Sequence, residues 1–412
     1  MNRPALCALV ATLLANPVVA APSLPDEPLV VAALDNHPSV TGAAQRVEAA
    51  RAAAHMLARG SQEFTLSGSY MSRDITGERR YDEFDASLTR AIRIPGKAGL
   101  DRKSGQLGIE VAQNLMEDAR HQTALVLSGM WIDWLTAGEL QRSDLATVDL
   151  LEQEVLALSR RHELRDASRL EIDQTQAALD QARGQATRTL ADLERARAML
   201  SANFPDLPLT PEPPALGTPE LPREGLEALR ALVISRSHEI LASQREAERV
   251  STLAERAQRD RLADPSVGVR VFRERGGLER GGGLTFSMPL GGSYRKAAAE
   301  QASSEASAAQ FELVSTRRMV EATAQSDLLD ARNRLASWEK FDAGARTATT
   351  AAARVNTGYR LGAIDLSDLL LARRQEHEAR RMEITARADS IRSLLKLQID
   401  AHVIWMGSEI EN

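Results

Sequence analysis

The stretch G-Y-R-L-G-A-I-D-L-S-D-L-L-L-A-R-R, residues 358–374, interrupts a segment that is otherwise typical of helix. No proline occurs in residues 290–412, yet two glycines stand close together here and are followed by Asp365, a residue type that caps helix N-termini. A second interruption, R-H-E-L-R-D-A-S-R-L-E-I-D at residues 161–173, lies in another proline-free run, residues 96–204. Each stretch therefore predicts a tight turn between two helices.

The two turns belong to an internal repeat. The two copies align at matching positions: Gly96 with Gly292, His162 with Tyr359, and Glu171 with Asp368. Each copy reads as helix, hairpin, long helix, turn, helix. We assign residues 21–204 to the first copy, with its hairpin at about 63–94, and residues 223–412 to the second, with its hairpin at about 264–291. Residues 205–222 hold seven of the chain's 16 prolines and are predicted to be an extended linker.

Alternation of apolar and polar residues predicts two strands in each hairpin. The predicted strands are Phe64–Met71, Phe84–Ile92, Pro265–Phe272 and Gly283–Met288. Between them, apolar residues recur at spacings of three and four, which is typical of packed helices. We expect long helices at residues 97–161 and 294–357, with half-length helices stacked alongside them. By summed length, segment 168–203 would stack with 223–262, and segment 366–405 with 27–59.

Composition narrows the class of protein. With 43% hydrophobic, 4% aromatic and 26% charged residues, the chain resembles long packed helices more than enzyme domains. A net charge of -6 offers no basic surface for nucleic acid. The seven histidines lack metal-binding spacings, and no phosphate loop or catalytic motif occurs, so we expect no cofactor, no metal and no enzyme activity. Residues 1–20 read as a secretory signal peptide that contains Cys7, the single cysteine.

Four strands with an apolar face predict an incomplete sheet. After the signal no run of about 18 apolar residues occurs, so a membrane location would depend on the strands. Unpaired strand edges are costly in lipid, and other copies of the chain would have to cover them. Two copies would give a barrel filled by side chains, whereas three would give twelve strands and a lumen.

The ordered motifs resemble the TolC-type outer-membrane efflux proteins. The resemblance lies in the two-fold repeat, in the strand-to-helix junctions R-I-P-G-K (residues 93–97) and P-L-G-G-S-Y-R (residues 289–295), and in residues 358–373. It implies a homotrimer with a barrel in the outer membrane and a long α-helical tube in the periplasm. It also implies partners: a periplasmic adaptor protein and an inner-membrane pump. The compact length, the short first hairpin and V-R-V-F-R-E-R-G-G-L-E-R (residues 269–280) look similar to the heavy-metal cation-efflux subset, and the pump would be of the RND type.

The resemblance also assigns residues to the far end of the tube. Glu171 and Asp368 match the acidic constriction of the family, and Tyr359 is either a gate residue or a packing residue of the turn. The turn residues would contact the adaptor: Arg165, Asp166, Ala167, Ser168, Gly362, Ala363, Ile364 and Asp365. This sequence departs from the family pattern at Arg165, which replaces a turn glycine, and at Ile364 and Leu371, which replace an arginine and an acid.

Several alternatives remain open from sequence. Glu171 and Asp368 could be ordinary solvated carboxylates of two helices. The channel could serve drug efflux or one-step protein secretion rather than metal efflux. An exported coiled-coil scaffold or adaptor would explain the helices, but not two hairpins at matching positions.

Overall fold

The computed structural model describes residues 24–406, and the predicted signal peptide at residues 1–20 lies outside that range. The described helices are α1 (Glu27–Asp35), α2 (Pro38–Arg59), α3 (Lys97–Glu163), α4 (Arg169–Asn203), α5 (Leu226–Ser235), α6 (His238–Asp260), α7 (Ser293–Arg360) and α8 (Leu366–Asp400). The strands are β1 (Phe64–Arg73), β2 (Tyr81–Ala91), β3 (Ser266–Glu274) and β4 (Glu279–Ser287). None of the helices in residues 24–406 has a stretch long and apolar enough to cross a bilayer.

Two very long helices form the frame of the molecule. α3 has 67 residues and α7 has 68, so each is about 100 Å long at 1.5 Å per residue. Both lie in proline-free sequence, which allows the helical hydrogen bonds to continue without interruption. Trp131 and Trp134 of α3 are buried, with ring centroids 5.1 Å apart, in a core that includes Leu34, Ile391 and Trp405.

The shorter helices lie along the two halves of α3. Near the sheet, α2 packs against α3 where Ala54 approaches Gly105, and Arg256 of α6 pairs with Asp101 at 2.7 Å. Toward the turns, α4 and α8 pack against α3 instead. There Thr189 of α4 and Arg381 of α8 both donate hydrogen bonds to Asp144 of α3.

These contacts correct the predicted stacking. Half-length helices do run alongside the long ones, but α2 continues into α4, and α6 continues into α8 between α3 and α7. Summed segment length could not distinguish these pairings, because α4 and α8 have 35 residues each.

Two breaks in the half-length segments were not predicted. The segment 27–59 divides into α1 and α2, where His37 accepts a hydrogen bond from the backbone N–H of Ser39 at 3.2 Å. The segment 223–262 divides into α5 and α6, where Ser237 caps α6 by accepting from the N–H of Ile240 at 3.2 Å. Each break is therefore followed by a new helix whose first turn is capped by a side chain.

The four strands form one antiparallel sheet in the order β1-β2-β3-β4. Because side chains alternate between faces, the register assigns each residue to one side. The first side, here called the apolar face, carries large exposed residues: Phe64, Leu66, Tyr70, Phe84, Leu88, Val267, Val269, Val271, Leu284 and Phe286. The second side, the polar face, carries Thr65, Ser67, Ser69, Asp85, Ser87, Thr89, Arg270 and Thr285. The predicted strands are present, and each pairs further toward its hairpin turn than predicted.

A buried lysine fixes the sheet to the helices. Lys97, the last residue of R-I-P-G-K, is 1% exposed, and its Nζ lies 2.8 Å from Asp260, Asp264 and the carbonyl oxygen of Leu262. The carboxylate of Asp264 also accepts from the N–H of Ile94 at 3.0 Å. The first strand-to-helix junction is therefore bonded directly to the end of α6, where the second hairpin begins.

The proline-rich segment 205–222 lies against the middle of α3. Pro213 occupies the space beside Gly138, where a Cβ atom would be 2.1 Å from the proline ring. Arg142 donates to the carbonyl of Pro213 at 3.1 Å, and Glu139 accepts from the N–H of Leu216 at 3.1 Å. The segment is thus a packed strip held by α3, since its own prolines cannot support a helix.

Candidate functional site

The turn between α7 and α8 ends the long helix by a left-handed glycine. Gly362 has φ 72°, the N–H of Ala363 donates to the carbonyl of Gly358 at 2.9 Å, and the N–H of Gly362 donates to Tyr359 at 3.0 Å. This bonding pattern is the Schellman motif, which satisfies the last carbonyls of a helix. Gly358 is required for a different reason: a Cβ there would be 2.5 Å from the side chain of Ile364.

The turn between α3 and α4 has the same backbone geometry without a glycine. Arg165 has φ 59°, and the N–H of Asp166 donates to the carbonyl of Arg161 at 2.8 Å. Left-handed backbone is unfavourable for a residue with a side chain. The departure noted in the sequence at Arg165 therefore leaves the turn intact and places strain in it.

Each turn is followed by a capped helix. Asp365 accepts from the N–H of Asp368 at 3.1 Å, and Ser168 accepts from the N–H of Glu171 at 3.2 Å. Ser168 is thus the N-cap residue of α4. Asp166 instead accepts from the guanidinium of Arg161 at 2.9 Å.

Glu171 completes a capping box with Ser168. Its carboxylate accepts from the backbone N–H of Ser168 at 2.6 Å and from the Ser168 hydroxyl at 2.8 Å. The backbone bond from Ser168, followed by the hydroxyl bond, lowers the pKa of Glu171 below its usual value. The residue thus has a structural role that was not predicted. Its place in an acidic constriction stays a prediction.

Asp368 is exposed in the first turn of α8, where its backbone rather than its carboxylate takes part in the cap. Glu171 occupies the matching position in the first turn of α4. Both negative charges therefore lie at helix N-termini, where the helix dipole favours them. The first turns of α4 and α8 lie at the same end of the molecule, where residues of both helices share one apolar cluster.

Tyr359 joins the two turns. Its ring packs with an apolar cluster around Leu158, Leu366 and Leu369, and its hydroxyl accepts from Arg161 at 3.0 Å. Burial, and then the charge of Glu154, raise the pKa of Tyr359 above its usual value, so the phenol stays protonated at neutral pH. Within one chain Tyr359 is therefore a packing residue, and its hydroxyl also links the two helical hairpins by a hydrogen bond.

Arg161, Glu154 and Arg373 are the residues of this region that sequence reasoning missed. The guanidinium of Arg161 bonds both Asp166 and Tyr359, and thus spans the two turns. Arg373 donates to Asn356 at 3.2 Å and lies 3.7 Å from Glu154. The available signal was the repeat itself, because Arg161 stands where the second copy has Gly358.

Solved structures of bacterial outer-membrane proteins have a similar fold. The outer-membrane protein VceC of Vibrio cholerae is 16% identical, with a TM-score of 0.72, over 90% of this chain and 95% of that chain. The Campylobacter jejuni CmeC outer membrane channel is 15% identical, with a TM-score of 0.74, over 97% and 93%. The Neisseria gonorrhoeae MtrE outer membrane channel, solved in its open state, is 16% identical, with a TM-score of 0.65, over 91% and 88%.

No protein-family model matches the sequence, and no curated protein matches it. At identities this low, the likeness to the solved channels shows a shared fold over nearly the whole chain.

Proposed function

Because the chain has the TolC-like fold, we propose that three copies form an outer-membrane exit channel for substrates received from an inner-membrane pump through a periplasmic adaptor. The observation that carries the proposal is the sheet. Its apolar face is continuous over four strands, with Leu66, Leu88, Val269 and Leu284 as register partners in one row. In the described residues β1 and β4 each pair along one edge only, so a further copy can continue the sheet on either side.

The height of the apolar face fits a membrane. Exposed apolar residues extend from Ile92, the residue after β2, to Phe84, which is about 26 Å along a strand at 3.3 Å per residue. Arg90 interrupts them near the helices, where its guanidinium lies over the ring of Phe64. With the tilt of about 40° found in barrels, the band would be about 20 Å tall, close to the apolar band of outer-membrane barrels. The polar face would then line the lumen, where Arg270 and Asp85 form an ion pair.

The adaptor would bind at the far end of the helices. The turn residues 165–168 and 362–365 are exposed or half-buried there, together with the large apolar side chains of Leu164 and Leu361. We propose heavy-metal cations as the cargo and an RND-type pump as the partner, on the sequence motifs alone. Drug efflux and one-step protein secretion are the alternatives within this class, and a periplasmic scaffold is the alternative outside it.

Conductance of the purified protein in planar bilayers tests the channel. We expect trimers with cation-selective conductance that divalent cations block. The double variant Glu171→Gln, Asp368→Asn should lower cation selectivity and weaken the block, because the proposed acidic constriction would lose its charge. Gln at position 171 can keep the capping box, because its side-chain oxygen still accepts hydrogen bonds. Ala would remove the capping box, and a loss of helix stability could then be mistaken for an effect on the constriction.

The variant Glu194→Gln on exposed α4 surface is the matched control and should conduct like the wild type. Unchanged selectivity in the double variant would make Glu171 and Asp368 ordinary helix carboxylates and leave the channel standing. A rod recovered outside the membrane fraction, with no conductance, would instead support the scaffold. Survival of a deletion strain across metals, dyes and bile salts would identify the cargo.

A further inference from the structure

Two arginines stand directly opposite each other at the hairpin end of the sheet. Arg273 of β3 and Arg280 of β4 are register partners. They lie two residues beyond Val271 and Gly282, which are also register partners, so the alternation of the strands places both arginines on the apolar face. Both side chains are exposed. The apolar face thus ends in two adjacent positive charges.

The same row contains two aromatic residues. Tyr70 is the register partner of Phe84, which is the register partner of Arg273, and the two rings have centroids 5.1 Å apart. Aromatic side chains form girdles at the height of lipid headgroups in membrane barrels. The row therefore has the composition of a membrane interface at the end of the sheet away from the helices.

The two arginines have no carboxylate partner in residues 24–406. Arg273 donates to the carbonyl of Gly276 at 3.1 Å, and Arg280 donates to the carbonyl of Gly277 at 3.3 Å. A guanidinium has five N–H donors, so each bond leaves most of the donors available. These two contacts hold the guanidinium groups near the hairpin turn without neutralising them.

The other charged groups on this face do not balance the arginines. Asp82 accepts from the hydroxyl of Tyr70 at 2.8 Å, and Arg80 donates to Ser72 at 2.7 Å. The row and the next pair on this face, Ser72 and Asp82, hold two arginines and one carboxylate: Arg273, Arg280 and Asp82. Like charges opposite each other on neighbouring strands destabilise a sheet, and an anion between them would remove that cost.

We propose that Arg273 and Arg280 bind the phosphate groups of an anionic lipid in the outer leaflet, with one site on each protomer. The planar guanidinium matches a phosphate through paired hydrogen bonds. The neighbouring apolar rows of the sheet contact the acyl chains of the same lipid. This assignment rests on the proposed function, because only a membrane-spanning sheet brings the apolar face to lipid headgroups.

Lipid binding by the purified trimer in neutral detergent tests the site. The probes are diphosphoryl lipid A, the same lipid without its phosphates, and inorganic phosphate, each measured by native mass spectrometry and by the shift in Tm. The wild type should bind the diphosphoryl lipid most tightly. The variant Arg273→Gln, Arg280→Gln should bind it about 30-fold more weakly, since each basic residue near an anionic headgroup contributes about one factor of five.

Two further variants separate charge from fold. Arg273→Lys, Arg280→Lys should retain most of the binding, because the charges remain. Arg317→Gln, Arg318→Gln removes the same charge from exposed α7 and should bind like the wild type. Equal binding by the Gln variant at the hairpin, or equal binding of the lipid without phosphates, would overturn the proposal. Inorganic phosphate that displaces the lipid at matched concentration would assign the site to free phosphate and overturn it as well.

Conductance of the same preparations keeps this inference distinct from the proposed function. A hairpin variant that conducts normally as a trimer but loses the lipid effect supports the site. A hairpin variant with normal conductance and unchanged lipid binding would contradict the lipid site but not the proposed channel. A wild-type protein that forms no trimers and conducts nothing contradicts the proposed function itself, and with it the lipid site.

Discussion

Arg165 and Gly362 occupy the same left-handed position in the two turns, with φ 59° and φ 72°. Only one of the two residues suits that backbone. Apart from Gly362 and its chain neighbours, no heavy atom lies within 4 Å of the position that a Cβ of Gly362 would take, so conformation rather than contact decides the effect of a side chain there. The pair therefore allows backbone strain to be measured in one molecule at two matching sites.

We expect Gly362→Ala to lower the free energy of unfolding by about 1 kcal/mol, because alanine is disfavoured in left-handed backbone. Arg165→Gly should raise it by less than about 1 kcal/mol, because relief of the same strain is offset by the greater freedom of glycine in the unfolded chain. Urea unfolding of both variants measures the two changes. Changes of the same sign would show that the turns are not equivalent in energy.

At the scale of elements, the end of α8 and the start of α6 meet the body of α3 in a cluster of histidines. His402 follows α8, and its ring stacks on His238 of α6 with centroids 5.0 Å apart and lies 5.5 Å from His121 of α3. His121 bonds Asp400 at 2.8 Å, and Arg236 donates to the carbonyl of Ala401 at 3.1 Å. Within residues 24–406 no such group is arranged to hold a metal ion.

The environments of these histidines differ. Burial disfavours a charge on His121, but the carboxylates of Asp118 and Asp400 outweigh burial and raise its pKa to about 9. Burial lowers the pKa of His402 to about 4, and the charges of His238 and His121 act in the same direction. At neutral pH His121 is thus charged and His402 is neutral.

Together the two shifted histidines stabilise the fold most near pH 6.5. The contribution of His121 is complete below pH 6.5 and is lost as the pH rises through about 9, because its folded pKa is raised. The contribution of neutral His402 is lost as the pH falls from 6.5 through about 4, because its folded pKa is lowered. His402→Gln should therefore reduce the loss of unfolding free energy between pH 7 and pH 5 by about 1–2 kcal/mol.

Chemical unfolding across this pH range measures the effect, and His55→Gln on the exposed side of α2 is the control. An acid loss in His402→Gln as large as that of the wild type would contradict the assignment. Other groups near the cluster, including Lys396, Glu239 and Asp327, are unchanged in both variants.

Long helices, hairpins and turns were predictable from sequence because their signals are local. The ends of α3 were predicted within two residues, since prolines are absent and the turn chemistry is strong. The stacking of α2 with α4 was not predicted, because the length of a helix does not show which helix lies next to it. Buried Lys97 was also missed as an ion-pair centre, since its partner Asp264 is 167 residues away in sequence.

The turn region shows the same division. Asp365 and the capping residue Ser168 follow from residue type and position. Arg161 was missed, and its bond to Tyr359 required the fold, because the two residues are 198 positions apart. The roles of Glu171, Asp368 and the turn residues in an assembled channel stay predictions.

At the scale of the whole molecule, the two faces of the sheet should differ in their access to water. Cys7 lies in the predicted signal peptide, so the mature chain would offer a background without cysteine for labelling. In vesicles, Ser67→Cys on the polar face should react with charged thiol reagents, whereas Leu66→Cys on the apolar face should not. The reason is that adjacent residues of a strand point to opposite sides.

Mass spectrometry of the labelled protein measures the pattern, with Ser87→Cys and Leu88→Cys as the matched pair on β2. Labelling at all four positions in vesicles would contradict a membrane-embedded sheet. The same four variants in detergent should differ less, since detergent exchanges at the apolar face.

The seam between β2 and β3 sets the order in which the chain can fold. Each hairpin joins strands that are close in sequence, whereas Asp85 and Arg270 meet across the seam from positions 185 residues apart. Closing a loop of that length costs chain entropy, and long-range strand pairing is slow for this reason. During folding β2 therefore has an unpaired edge until α3 to α6 have packed. That interval is when the protein is most exposed to aggregation, and when a holdase chaperone that covers the first hairpin would have the largest effect on yield.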